Sequence, residues 1–258
     1  HRKYLKILSM KRKAFIRLLA VTALFPFSVT GNAYSETVSS KSYGLSRMTD
    51  VARFPVLDRE MKVKYEGSID KKGGNADWDW SLYQDKKGEW VIFDVAGAGC
   101  IYNMVQHRYL SSEEPVFRFY FDGEETPRFT IRLSEFGEKY PFTEPQASCY
   151  IGPLDNGRGP IRVVRSFVPM PFRNGCRITS SVKLEDKGQG GWGHVVYHSY
   201  PTAQGIETFI GKEDYSSLVR QWKQTGVDPK IGKDRMFRMS EKRLSPGESL
   251  SVIDVHEG

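Results

Sequence analysis

Period-two alternation is the clearest signal in the chain. In Val116-Phe117-Arg118-Phe119-Tyr120-Phe121 the three phenylalanines share one face, and in Arg128-Phe129-Thr130-Ile131-Arg132-Leu133 alternate residues are again apolar. Asp122-Gly123 lies between the two runs and is a hairpin turn signal. The pattern predicts two antiparallel strands, each with one buried face. The connection from Asp122 to Pro127 exceeds two residues and leaves the turn type open. Further strands are expected at 90–95, 101–105, 161–168, 177–184 and 195–200. They are separated by Gly, Pro, Asp and Asn clusters at 96–99, 152–160, 169–175 and 188–193. Such short, punctuated strands predict an all-β fold, a jelly-roll β-sandwich. A short helix is expected at 212–225, where Leu218 and Trp222 stand four residues apart. Asp214 or Ser216 is expected to cap its start and Gly226 to end it.

The start of the chain follows a different pattern. Met10-Lys11-Arg12-Lys13 is basic, Leu18 to Phe25 is largely apolar, and Gly31-Asn32-Ala33 offers small residues. This order predicts a signal peptide over 10–33, cleaved after Ala33, with Met10 as the true start. The apolar run falls short of the roughly 20 residues that a spanning helix needs. The protein is therefore expected to be secreted or periplasmic, with no membrane attachment after cleavage. The Ser- and Thr-rich stretch 34–50 reads as a linker, 51–210 as a first jelly roll, and 211–240 as a helical connection. Near the end, Val252-Ile253-Asp254-Val255 follows Pro246-Gly247-Glu248 much as Ile92-Phe93-Asp94-Val95 follows Lys87-Gly88-Glu89. The correspondence predicts that 241–258 opens a second, truncated copy of the sandwich.

Charge narrows the function classes. The chain carries 38 basic and 31 acidic residues, for a formal charge of +7. Seven of the basic residues and none of the acids lie in 1–33, which leaves 31 of each sign for 34–258. The body is formally neutral, and nucleic-acid binding, which needs a body-wide excess of Lys and Arg, is not supported. No P-loop, GxGxxG or Gly-x-Ser-x-Gly motif occurs. Three cysteines, Cys100, Cys149 and Cys176, form no CxxC pair. Buried structural thiols are the preferred reading, with one disulfide of undetermined pairing as the other.

Gly73-Gly74-Asn75-Ala76-Asp77-Trp78-Asp79-Trp80 is the densest chemical constellation. Amide and carboxylate groups bind sugar hydroxyls, and flat indole faces stack on apolar sugar faces. Asn75, Asp77, Trp78 and Trp80 are therefore candidate substrate-binding residues. The competing reading is a loop whose tryptophans fill the core while its aspartates cap backbone amides. His194 and His198 have the spacing of a helical metal pair, but Val195-Val196-Tyr197 between them reads as strand. Four residues of strand span roughly 13 Å, too far for one metal, and no metal site is expected. His107 is isolated, and either a surface or a site role fits it. Asp122-Gly123-Glu124-Glu125 reads as a charged hairpin tip.

In order, Gly73 to Trp78, Gly97-Ala98-Gly99-Cys100-Ile101, Arg118 to Pro127, Val168-Pro169-Met170-Pro171-Phe172 and Tyr197-His198-Ser199-Tyr200 form a familiar series. The series resembles glycoside hydrolase family 172, from about Val51 onward. The resemblance implies a double jelly roll, assembled as trimers or hexamers with active sites near subunit contacts. It implies retaining hydrolysis of fructofuranosyl or arabinofuranosyl linkages through two Glu residues, with no cofactor. The family pattern places both Glu in the second roll, beyond Gly258, so no catalytic residue is assigned to this chain. A retaining mechanism needs two carboxyls about 5 Å apart, one to attack and one to protonate the departing oxygen. Two other readings remain: a non-catalytic carbohydrate-binding or capsid-like assembly module, and an enzyme using Asp77, Asp79 or Glu125.

Overall fold

A computed structural model describes residues 42–54, 56–153, 159–184, 188–228 and 243–250. The expected signal peptide and, apart from Leu250, the expected final strand at 250–255 lie outside the described residues. In chain order the elements are α1 (Gly44–Thr49), β1 (Lys62–Gly67), β2 (Tyr83–Gln84), β3 (Trp90–Ala96), β4 (Ala98–Tyr109), β5 (Val116–Phe121) and β6 (Phe129–Arg132). They continue with β7 (Ala147–Gly152), β8 (Ile161–Ser166), β9 (Met170–Phe172), β10 (Gly175–Ser180), β11 (Gly193–Tyr200) and α2 (Ser216–Lys223).

The strands form two antiparallel sheets. One runs β1-β11-β4-β8-β7, with β9 also paired to β4, and the other runs β2-β3-β10-β5-β6. Setting aside the peripheral β2, β7 and β9 leaves four strands in each sheet. Their order, β1-β11-β4-β8 against β3-β10-β5-β6, pairs the first strand with the last and the second with the next to last. That nested pairing is the double Greek key of a jelly roll. The expected fold class therefore stands.

The alternation along β5 and β6 translates directly into burial. Phe117, Phe119, Phe121, Ile131 and Leu133 are all fully buried. Register continues it sideways, with Phe119 opposite Ile178 and Phe129, and Ile178 opposite Phe93. Ile101, Met104, Val164 and Val195 close the core from the other sheet. Each such side chain contributes about 1.5–3 kcal/mol of burial. Most of the rings touch edge-on or tilted, as in Phe117–Phe136 at 6.5 Å and Phe136–Phe142 at 5.0 Å, while Phe119 stacks on Phe142 at 5.8 Å.

At the hairpin tip Asp122 and Gly123 both have positive φ, 52° and 87°. The Glu124 N–H donates to the Phe121 carbonyl across them at 3.0 Å. This is the two-residue turn that Asp-Gly favours. Its Asp is also a tether: Oδ1 accepts the backbone N–H groups of Arg173 (2.8 Å) and Asn174 (2.7 Å), and Oδ2 accepts the Thr208 hydroxyl. Glu124 binds Arg128 and the Phe121 N–H. The charged tip is thus a structural clamp.

Several expectations on local structure are corrected. The stretch read as linker contains α1, because Leu45 and Met48 give it an apolar face that packs on the core. Its Thr49 carbonyl accepts the Gln221 amide of α2 at 2.8 Å. The break expected at 96–99 is narrower, since β4 already starts at Ala98. Gly99 sits inside the strand because a Cβ there would lie 2.4 Å from the Phe172 ring and 2.7 Å from the His198 carbonyl. Strand β9 lies within the stretch read as a turn, and Pro171 is accommodated in it because β9 pairs only with β4. Strand β1, not expected from the sequence, carries no buried face along most of its length, although Lys62-Val63-Lys64-Tyr65 alternates. Helix α2 is shorter than expected and ends before Gly226. Neither Asp214 nor Ser216 caps it: Tyr215 holds the N-cap position with no side-chain cap bond, although Asp214 accepts the Ser216 N–H at 2.9 Å.

Burial alone would raise the Asp122 carboxyl, but the bonds from Thr208, Asn174 and Arg173 outweigh it and lower its pKa. Asp122→Ala is expected to cost about 1–3 kcal/mol in urea unfolding through loss of these charge-assisted bonds. Because the folded pKa is depressed, the ionised group stabilises above the ordinary aspartate range and loses that effect as pH falls through its folded value. The stability of Asp122→Asn should therefore fall less steeply in acid than that of the parent.

Candidate functional site

The loop between β1 and β2 is closed on itself. Asp70 accepts the N–H groups of Lys72 (2.9 Å) and Ala76 (3.2 Å), and Asp77 Oδ1 accepts the Asp70 N–H at 2.7 Å. Bonding from the Lys72 N–H, above all, lowers the Asp70 pKa. The two glycines have separate reasons. Gly73 has φ 78°, and a Cβ on Gly74 would lie 2.6 Å from an Asp70 carboxylate oxygen. Asp77 is thus a loop-shaping residue. Asn75 is exposed and makes no side-chain hydrogen bond among the described residues, and Trp78 is half-buried.

Trp80 is a correction. It is 1% exposed, in the main core cluster. A Cβ on Gly193 of β11 would lie 2.4 Å from its ring. No indole face is open to a sugar, so Trp80 is a core residue. The constellation therefore divides: Trp80 packs, Asp77 shapes, and Asn75 and Trp78 stay at the surface.

The loop leads onto the outer face of the β1-β11-β4-β8-β7 sheet, where the sequence had marked only histidines. The Tyr65 ring, 50% exposed, stacks on His194 at 5.2 Å. Its phenol pKa is raised, first by burial and then by the nearby Asp77. His194 Nε2 lies 2.9 Å from Asn103 Oδ1, and the Asn103 amide donates to the Ser166 carbonyl at 3.3 Å. Burial lowers the His194 pKa. Beyond it, the Arg165 guanidinium lies over the Tyr150 ring at 5.5 Å and donates to the Tyr150 hydroxyl at 3.3 Å. His107 meets Trp192 edge-on, and its Nδ1 is buried with no hydrogen-bond partner among the described residues. Two exposed phenol rings, an arginine, an amide and neutral histidines make a polar, aromatic surface. Such a surface can stack on and hydrogen-bond a carbohydrate. A lysine-flanked tyrosine in Lys62-Val63-Lys64-Tyr65 was the available sequence signal for it.

Residues 51–217 match the first β-sandwich domain of family GH172. The chain belongs to glycoside hydrolase family 172. No curated protein matches it. The family match spans the described jelly roll from the turn after α1 to the start of α2, so every strand above is part of the domain. The cysteines are free thiols: Cys100 and Cys176 are buried and Cys149 is half-buried. Burial pushes the Cys100 thiol up to about 12, which makes it unreactive.

His198, four residues along β11 from His194, lies in different surroundings. The strand separates the two by roughly 13 Å. His198 lines a cavity of about 520 Å³ with Arg47, Tyr102, Asn103, Phe167 and Trp222. Tyr102 and Asn103 are consecutive yet share this cavity because β4 bulges there. Val196 pairs with Asn103 and Tyr197 with Ile101, so Tyr102 is the extra residue. The Tyr102 and Tyr200 hydroxyls are 3.2 Å apart, and the Tyr200 hydroxyl is 3.4 Å from His198 Nδ1. Burial, then Arg47, lower the His198 pKa to about 4, with Asp58 opposing.

Trp80→Ala is expected to lose about 3–5 kcal/mol of stability in denaturant titration, as a large core deletion does. His198 binds its proton less readily in the folded chain than its ordinary value of 6.5 allows. Stability should therefore fall as pH drops through the window from 6.5 to about 4. Imidazole NMR shifts should show the His198 ring neutral at pH 6.

Proposed function

We propose that this chain is the first sandwich of an exported retaining glycosidase acting on fructofuranosyl or arabinofuranosyl linkages. Membership of the family carries the reading, and the aromatic, polar outer face beside the 70–80 loop supports it. In this proposal the first sandwich contributes binding groups, Tyr65, Asn75, Trp78 and Arg165 among them. The attacking and protonating carboxyls are not among the described residues. Three of the carboxylates have structural work: Asp77 holds the loop, Asp122 the hairpin, and Glu124 its arginine. Assembly into trimers or hexamers belongs to the same proposal.

Aryl arabinofuranosides and fructofuranosides assayed with the whole exported protein test it. Turnover with net retention of anomeric configuration is expected, and pyranosides should be poor substrates. Tyr65→Ala should raise KM about tenfold, a loss of about 1.4 kcal/mol of binding, with little change in stability because the ring is half exposed. Asp77→Asn keeps an oxygen acceptor for the Asp70 N–H and should retain kcat within about tenfold. Abolished turnover in Asp77→Asn would place a catalyst in the loop and contradict this assignment.

A further inference from the structure

We infer that the cavity between the α1–α2 pair and the outer sheet face is a binding site for an organic carboxylate carried on a flat apolar group. The inference rests on the cavity's own chemistry and not on the glycosidase reading. Its volume of about 520 Å³ falls in the range of small-molecule sites. Met48, Phe54, Phe167 and Trp222 supply apolar walls, and Trp222 meets Phe167 edge-on at 5.7 Å. An aromatic slab of this kind suits a planar ligand body.

The polar groups select the charge. Arg53 is neutralised by Asp50 at 3.2 Å, whereas Arg47 has no acidic partner among the described residues. An arginine fork with free donors matches a carboxylate in geometry and charge. Asn103 is already committed to His194 and Ser166. His198 is not. The Tyr200 hydroxyl lies 3.4 Å from its Nδ1, and its Nε2 has no hydrogen-bond partner among the described residues. The cavity is thus lined by an unspent cationic donor, Arg47, by an uncommitted imidazole nitrogen of His198, and by Ser42. Arg47 and Asp58 act on the His198 ring in opposite senses, the Tyr102 and Tyr200 phenols face it, and Arg53, paired with Asp50, lines the same cavity.

Benzoate and its neutral isostere benzamide are the probes, titrated into the full chain by calorimetry and by imidazole NMR. Benzoate should bind saturably and benzamide about tenfold or more weakly. Arg47→Gln should remove most of that preference while benzamide binding stays unchanged. Bound benzoate should also raise the His198 pKa, because an anion beside the ring favours its charged form. That NMR readout needs no variant, so it stands even if Arg47→Gln destabilises the chain. Equal binding of both probes, an unmoved His198 pKa with benzoate bound, or no saturable binding would overturn the inference.

Discussion

The inward row of Phe117, Phe119 and Phe121 sets the facing of every strand around it. Successive strand residues point to opposite sides, so a slip of one position would send three aromatic rings into water. β5 is hydrogen-bonded on both flanks, to β10 and to β6. Its register therefore fixes Ile178 and Ile131 as inward residues, and β10 passes the same constraint to Phe93 on β3. The second sheet must then present Met104, Val164 and Val195 opposite them. What remains for function is what this arrangement turns outward.

The parts that could be read in advance were those where burial enforces alternation. β3, β5, β6, β8 and β11 stand close to where the hydrophobic pattern puts them, since each has one face in the core. β1 escaped because most of its side chains are exposed on both faces, and its place comes from pairing with β11 alone. β4 was read to start too late because Gly99 looks like punctuation. Its missing side chain instead answers the close approach of Phe172. Composition also misled at 42–50, where Ser and Thr hide the apolar pair Leu45 and Met48.

For the site, residue types were legible and their placement was not. A Gly-Gly-Asn-Ala-Asp-Trp string announces an unusual loop, and the loop is unusual. Its second glycine admits the Asp70 carboxylate, and its Asp77 returns a bond to the Asp70 backbone. Nothing in the string says that Trp80 would be drawn under β11 while Trp78 stays near the surface. Likewise His194 and His198 look like a pair in the sequence. The strand holds them apart, and each finds separate partners: a tyrosine face and an amide for one, two phenol hydroxyls in series for the other.

The bulge at Tyr102 shows how much can depend on one unpaired backbone position. Straightening β4 by deleting that residue would bring the strand back into step with β11 and rotate the stretch on one side of the cut by half a turn. Ile101 would then exchange its place in the interior for one facing solvent, or Asn103 would leave His194 and swing inward without an acceptor. Chain length at this point is consequently as constrained as side-chain identity, and descendants of this sequence should tolerate substitution there more readily than the gain or loss of a residue.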